Sequence, residues 1–101
     1  MYKILLICSA GMSTSLLVTK IEEVAKERGI DAKIWAVGDA AAVNNVDEAD
    51  CVLLGPQVRF LKKKVEALCP GKPVGVIDMR TYGTMDGAAT LDQALALLGH
   101  A

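Results

Sequence analysis

The sequence predicts an α/β fold, a single four-stranded parallel sheet in the order 2-1-3-4 with helices on both faces. Three observations carry that expectation. Short apolar runs at residues 3–7 and 51–54 are bounded by turn residues, as in strands of a parallel sheet buried on both faces. Such runs alternate with stretches of helical periodicity, which calls for right-handed β-α-β crossovers. At 101 residues the chain forms one domain, residues 1–101, long enough to cover both faces of a small sheet.

The elements follow in order. Residues 3–7 are the first strand, and a helix is expected from about Leu16, capped by Ser13 or Thr14. Leu17, Ile21, Val24 and the stem of Arg28 form its buried stripe, with Glu22, Glu23, Lys26 and Glu27 largely outside it. Gly29 is placed to end it as the C′ residue. Residues 32–37 alternate in polarity and read as an edge strand, followed by a short alanine-rich helix over 39–44 and a polar, acidic connection. Residues 51–54 are wholly apolar, hence a central strand with Cys51 in the core. Gly55-Pro56-Gln57 turns the chain into a helix over 58–68 that buries Leu61, Val65 and Leu68 and leaves Lys62-Lys63-Lys64 solvated. Cys69 is a bystander where that helix ends. Residues 73–77 are the fourth strand, with Gly75 marking a bulge or a close backbone approach. Residues 78–86, which include Tyr82, read as irregular. The last helix, 87–98, is apolar along Leu91, Ala94, Leu95 and Leu98 and ends at Gly99.

The chemistry concentrates at Cys8-Ser9-Ala10-Gly11-Met12-Ser13-Thr14-Ser15, between the first strand and the first helix. Apart from Met12 these residues after the cysteine are small, hydroxylated or glycine. The backbone can therefore curl and turn several N–H groups inward. A helix N-terminus adds unpaired amides and about +0.5 charge, and the two together make an anion site. A cysteine on its rim is a nucleophile placed to hold a phosphoryl group. The plainer role for Cys8 is a space-filling core thiol, but a structural cysteine has no need of the glycine and three hydroxyls that follow. Ser13 and Thr14 are open to two roles, phosphate contact or helix cap. In a 2-1-3-4 sheet ligands bind beyond the C-terminal strand ends where the winding reverses, between strands one and three. That rule brings Gly55-Pro56-Gln57 and the Tyr82 loop to the edge that carries Cys8, making Gln57 and Tyr82 candidate neighbours. Tyr82 has a second reading as a packed loop aromatic.

Composition excludes other classes. Eleven basic and twelve acidic side chains leave a formal charge of −1, so no strong field favours nucleic acid or an anionic membrane. Four aromatics do not interleave with a basic patch, leaving base stacking unsupported. The N-terminal apolar run is too short for a secretory h-region or a membrane span, so a cytoplasmic protein without membrane insertion is expected. Cys8, Cys51 and Cys69 lack Cys-x-x-Cys spacing, so neither a disulfide framework nor a metal site is indicated. No cofactor is expected, His100 near the C-terminus reads as solvated, and with no large apolar surface stripe a monomer is the default.

A cysteine in an anion cradle serves phosphatases of the low-molecular-weight kind, whose loop places an arginine six residues after the cysteine. Here that position is Thr14, followed by Ser15, and no basic residue lies between Lys3 and Lys20. The guanidinium that would clamp phosphate oxygens bidentately is missing, as is the Asp-Pro pair bearing the general acid. The loop can bind phosphate but lacks the parts for rapid transfer to water, which suits a carrier; a cysteine phosphatase and a non-enzymatic phosphate-binding module are the alternatives.

The loop Cys8 to Val18, with Leu53-Leu54-Gly55-Pro56-Gln57, Val76-Ile77-Asp78 and Tyr82-Gly83, resembles the lactose/cellobiose-type IIB component of the bacterial sugar phosphotransferase system, closest to the cellobiose or N,N′-diacetylchitobiose branch. The resemblance runs nearly the whole chain. It implies a phosphotransferase activity in which Cys8 takes a phosphoryl group from a phosphohistidine on a IIA partner. Cys8 would then pass it to a disaccharide held in a IIC membrane partner, with residues 9–15 cradling the phosphoryl oxygens.

Overall fold

Seven consecutive residues, Tyr2–Cys8, form β1 of the computed structural model, which describes residues 1–8 and 12–99, with only the backbone of residues 12–14 and 39. Strand β1 lies at the centre of a four-stranded sheet ordered β2-β1-β3-β4, where β2 is Ala32–Gly38, β3 Cys51–Leu54 and β4 Val74–Val76. All three pairings are parallel. The order and the edge position of β2 match the sequence expectation.

Alternation along the two central strands splits the core into two layers. Ile4 and Leu6 of β1, with Cys51 and Leu53 of β3, face α1 (Met12–Glu27) and a C-terminal helix, whose Leu17, Ile21, Leu91, Ala94 and Leu95 join the same cluster. Leu5, Ile7, Val52 and Leu54 face the opposite way. They pack on Ala42, Val46, Val58 and Val65 from a 3₁₀ segment (Asp39–Asn44), the chain after it, and the helical stretch after β3. The side chains from Ile4 to Ile7 are fully buried, which is why this run lacks a polar partner position.

Helix α1 starts at Met12, not near Leu16, so Ser13 and Thr14 lie in its first turn and do not precede it. Its buried stripe is Leu17, Ile21 and Ala25, while Arg28 is exposed and pairs with Asp92. Gly29 ends the helix as expected. Its φ of +70° permits the two closing bonds, Ile30 N–H to Ala25 O at 2.8 Å and Gly29 N–H to Lys26 O at 3.1 Å.

The helix expected over 58–68 is divided. A 3₁₀ stretch, Pro56–Leu61, precedes α2 (Lys62–Leu68), with Val58 at φ −119°, ψ 21° interrupting helical geometry. Residues 78–86 are not wholly irregular, because α3 (Met79–Gly83) occupies them, and α4 (Gly87–Leu97) follows. Both helices are capped by aspartate. Asp78 accepts from Arg80 N–H at 3.0 Å and Thr81 N–H at 3.3 Å, and Asp86 accepts from Ala89 N–H at 3.0 Å. Removing either carboxylate leaves amides that only water can satisfy. Asp86→Ala is therefore expected to lower the free energy of unfolding by about 1 kcal/mol, read as a lower urea midpoint at unchanged slope; an unmoved midpoint would contradict the cap.

At Gly75 the close approach comes from side chains, not from another stretch of backbone. A Cβ there would lie 2.9 Å from Leu97 Cδ1 and 3.3 Å from Gln93 Nε2. Among the described residues no helix is long and apolar enough to cross a membrane.

Candidate functional site

The parallel register brings three strand ends level. Cys8 is in register with Gly38, Gly55 N–H donates to Ile7 O at 2.8 Å, and Ile77 N–H donates to Leu54 O at 2.8 Å. The segments that follow β1, β3 and β4 therefore emerge on one edge. It is the edge at which the chain winds from one face to the other.

Cys8 sits at that edge with 1 % of its surface exposed. It is flanked by two residues without side chains. A Cβ on Gly55 would stand 3.6 Å from Cys8 Cβ, and one on Gly38 would stand 3.9 Å from Cys8 O. Helix α1 starts four residues later, at Met12. The amides that open a helix lack intrahelical partners, so a source of anion-binding donors follows Cys8 closely in the chain. Ser9, Ala10 and Gly11 of the expected cradle lie outside the described residues, as do the side chains of Met12, Ser13 and Thr14. Ser15 is exposed, and its carbonyl accepts from Thr19 Oγ1 at 3.2 Å.

Gln57 and Tyr82 come together as neighbours of the site. Gln57 Nε2 donates to Tyr82 Oη at 3.2 Å, a contact between residues 25 apart that only the adjacency of β3 and β4 permits. The Gln57 carboxamide lies back across Gly55, its Oε1 2.6 Å from where a Gly55 Cβ would be. Beside it opens a groove of about 620 Å³ lined by Pro56, Gln57, Arg59, Phe60, Met79 and Tyr82. Phe60 is 75 % and Met79 65 % exposed. The groove thus carries two exposed apolar side chains that the sequence reading did not single out. The available signal was Phe60, an aromatic standing off the Leu61, Val65, Leu68 stripe. Met79 gave none, because its placement depends on the unanticipated α3.

The other two thiols are core groups. Cys51 is fully buried, and burial, with a contribution from the Asp50 charge, pushes its thiol from an ordinary value near 9 up to about 12. Cys69 is also buried, so it is more than a bystander at a helix end. Its Sγ–H donates to Val65 O at 3.1 Å, and desolvation raises its pKa. Cys51 is in register with Ile4, so it stands four residues down the sheet from Cys8, roughly 13 Å along the strand direction. A disulfide between them is out of reach, since bridged Cα atoms lie within about 7 Å.

The raised thiol has a consequence for stability. Unfolded Cys51 ionises above pH 9 while the folded thiol holds its proton to about pH 12, so the stabilisation it gives is complete below pH 9 and lost as pH rises through that window. The expected slope is about −1.4 kcal/mol per pH unit. Comparing denaturation of wild type and Cys51→Ala from pH 8.5 to 10.5 should show the variant lacking that component; parallel curves would count against it.

Comparison with known proteins agrees with this architecture. The family described as "PTS system, Lactose/Cellobiose specific IIB subunit" matches residues 3–93. The oligo-beta-mannoside-specific EIIB component of Bacillus subtilis is 52% identical over 97% of both chains. The cellobiose-specific EIIB component of Lactococcus lactis is 42% identical over 94% of both. The solution structure of a cellobiose-specific IIB component from Borrelia burgdorferi superposes with a TM-score of 0.81 at 43% identity, covering 97% of this chain and 92% of that one. The lactose-specific IIB domain of Streptococcus pneumoniae, at 18% identity, shares the fold with a TM-score of 0.84 over 94% of this chain and 95% of that one. With its strand order, level strand ends and matched length all in agreement, the chain belongs to the lactose/cellobiose-specific IIB family of the sugar phosphotransferase system.

Proposed function

We propose that Cys8 carries a phosphoryl group from a phosphohistidine on a IIA protein to a hydroxyl of a disaccharide held by a IIC membrane protein. One observation carries the reading. The nucleophile ends the central strand at the switch point, walled by Gly38 and Gly55, with the start of α1 four residues on. In the first step the Cys8 thiolate attacks phosphorus; the S–P bond forms as the N–P bond breaks, and the imidazole keeps the electron pair. In the second, the sugar oxygen attacks and loses its proton, while the sulfur leaves as thiolate.

The residues of this chain supply positioning and charge stabilisation in both steps. Amides of residues 9–15, with the hydroxyls of Ser13, Thr14 and Ser15, cradle the phosphoryl oxygens. No arginine or lysine joins them from within residues 4–19, so the transition-state charge is completed by groups from the docked partner. Water without a partner meets an incomplete site, which preserves the phosphocysteine between transfers. The low exposure of Cys8 acts in the same direction. The relatives' specificities, oligo-beta-mannoside, galactose and cellobiose, favour a neutral sugar as the acceptor. The site of action is the cytoplasmic side of the membrane that bears the IIC partner.

The test is phosphorylation by a purified IIA protein of this class loaded as phosphohistidine. The expected result is an intact-mass gain of one phosphoryl group, mapped to Cys8. A cysteine phosphatase would instead turn over an aryl phosphate without accumulating the adduct, and a phosphate-binding module would gain no mass.

A further inference from the structure

The Gly55 backbone has φ −62° and ψ 151°, an extended conformation open to every residue with a side chain. Conformation therefore does not explain a glycine here. Space does. A Cβ at Gly55 would meet Gln57 Oε1 at 2.6 Å, Gln57 Cδ at 3.3 Å and Cys8 Cβ at 3.6 Å. The Gln57 carboxamide oxygen and the methylene that bears the nucleophilic sulfur both border the room of one missing methyl group, 2.6 and 3.6 Å from its position. A phosphoryl group on Cys8 Sγ is added one bond beyond a methylene whose surroundings include that carboxamide. Tyr82 holds the carboxamide from its far side.

The geometry points to Gln57 as a direct ligand of the phosphoryl group on Cys8, with Tyr82 as its positioning residue and Gly55 as the opening that lets the two sites meet. The inference rests on the carrier reading above. A carboxamide has a donor end and an acceptor end, and a phenol can accept from the first or donate to the second. Either orientation of Gln57 is therefore compatible with Tyr82. In the thiol form Nε2 bonds Tyr82 and Oε1 lies toward Gly55. A phosphoryl group carries close to two negative charges and only acceptor oxygens on its surface. It repels Oε1 and selects the reversed carboxamide, with Nε2 donating to a phosphoryl oxygen and Tyr82 O–H donating to Oε1. The pair thus reports the charge at Cys8 by turning one amide, with no backbone movement.

Nitrogen-15 and phosphorus NMR on the intact protein, before and after loading by a phosphohistidine IIA donor, tests this. Phosphorylation is expected to move the Gln57 side-chain amide protons downfield and to give a through-hydrogen-bond coupling between Gln57 Nε2 and the phosphorus. Gln57→Met, which keeps length and loses both polar ends, should lower the equilibrium phosphorylation of Cys8 against the donor by tenfold or more, the expected cost of one charged hydrogen bond. Gly55→Ala retains Gln57 but displaces its carboxamide, and should lose the coupling and reproduce most of that drop. Tyr82→Phe should weaken the coupling with a smaller loss. A wild-type phosphoprotein whose Gln57 amide signals do not move overturns the assignment while leaving the carrier reading intact. So does a folded Gly55→Ala protein loaded as fully as wild type. If wild type never gains the phosphoryl group, the carrier reading itself fails.

Discussion

A Cys8→Ser protein should take up no measurable phosphoryl group from a donor that loads the wild-type chain. The substitution changes one atom but two properties. A thiol at neutral pH supplies a few per cent of an intrinsically strong nucleophile, whereas an alcohol supplies almost none without an adjacent base. Nothing in residues 4–19 offers a basic side chain, so the hydroxyl has no activator within that stretch of sequence on either side of it. Loss of at least roughly 10³-fold in transfer rate is expected, the scale on which single nucleophiles fail when removed. The fold should survive, because Cys8 lies at a strand end between two glycines and the replacement is slightly smaller. Circular dichroism and the urea midpoint check that, and Cys51→Ala and Cys69→Ala serve as contrasts that retain acceptance. A Cys8→Ser protein that gains the same mass as wild type would remove the basis of the carrier reading.

Most of the sheet was legible because period-two burial and the two all-apolar strands leave little freedom. With Ile4 to Ile7 and residues 51–54 buried on both faces, β1 and β3 must be central, and right-handed crossovers then dictate the order. Helix starts were less legible. Ser13, Thr14 and Ser15 favour non-helical conformations by propensity, yet a helix start tolerates such residues better than a helix interior does. The helix consequently reaches back to Met12. The α3 turn spans five residues, too few for an apolar stripe, and its only local signal was Asp78 as a cap. Of the site, the position of Cys8 followed from topology. The Gln57–Tyr82 hydrogen bond was legible only as shared location, since its geometry depends on how the turns after two neighbouring strands meet. The reason for glycine at position 55 was not legible at all, because a Gly-Pro turn explains itself locally and conceals the contact across it.

Replacing Gly87 by alanine should be among the most destabilising single-methyl additions available to this chain. Gly87 opens α4 where it crosses α1, and a Cβ there would lie 2.6 Å from both the carbonyl carbon and oxygen of Lys20 and 2.9 Å from the amide nitrogen of Ile21. These are backbone atoms in the middle of a helix, so no rotamer change relieves the clash. This differs from Gly55, where the opposing atoms belong to an exposed, movable glutamine. To accept the methyl group α4 must shift away from α1, loosening the layer in which Leu17, Ile21, Leu91 and Ala94 interlock. The expected loss is about 2–3 kcal/mol, at the upper end of overpacking costs because rigid main chain opposes it. Alanine's better helix propensity recovers less than about 1 kcal/mol of that. Urea denaturation of Gly87→Ala should show a clearly lower midpoint, while Gly83→Ala, whose added Cβ meets nothing within 4 Å, should remain near wild type. Equal midpoints for the two variants would mean that α1 and α4 do not approach as closely as described. Because α1 also carries the amides that follow Cys8, the Gly87→Ala protein should load phosphoryl group more slowly even at temperatures where it stays folded. A stability loss with unchanged loading would show that the start of α1 is held by β1 and its loop, independently of the α1–α4 contact.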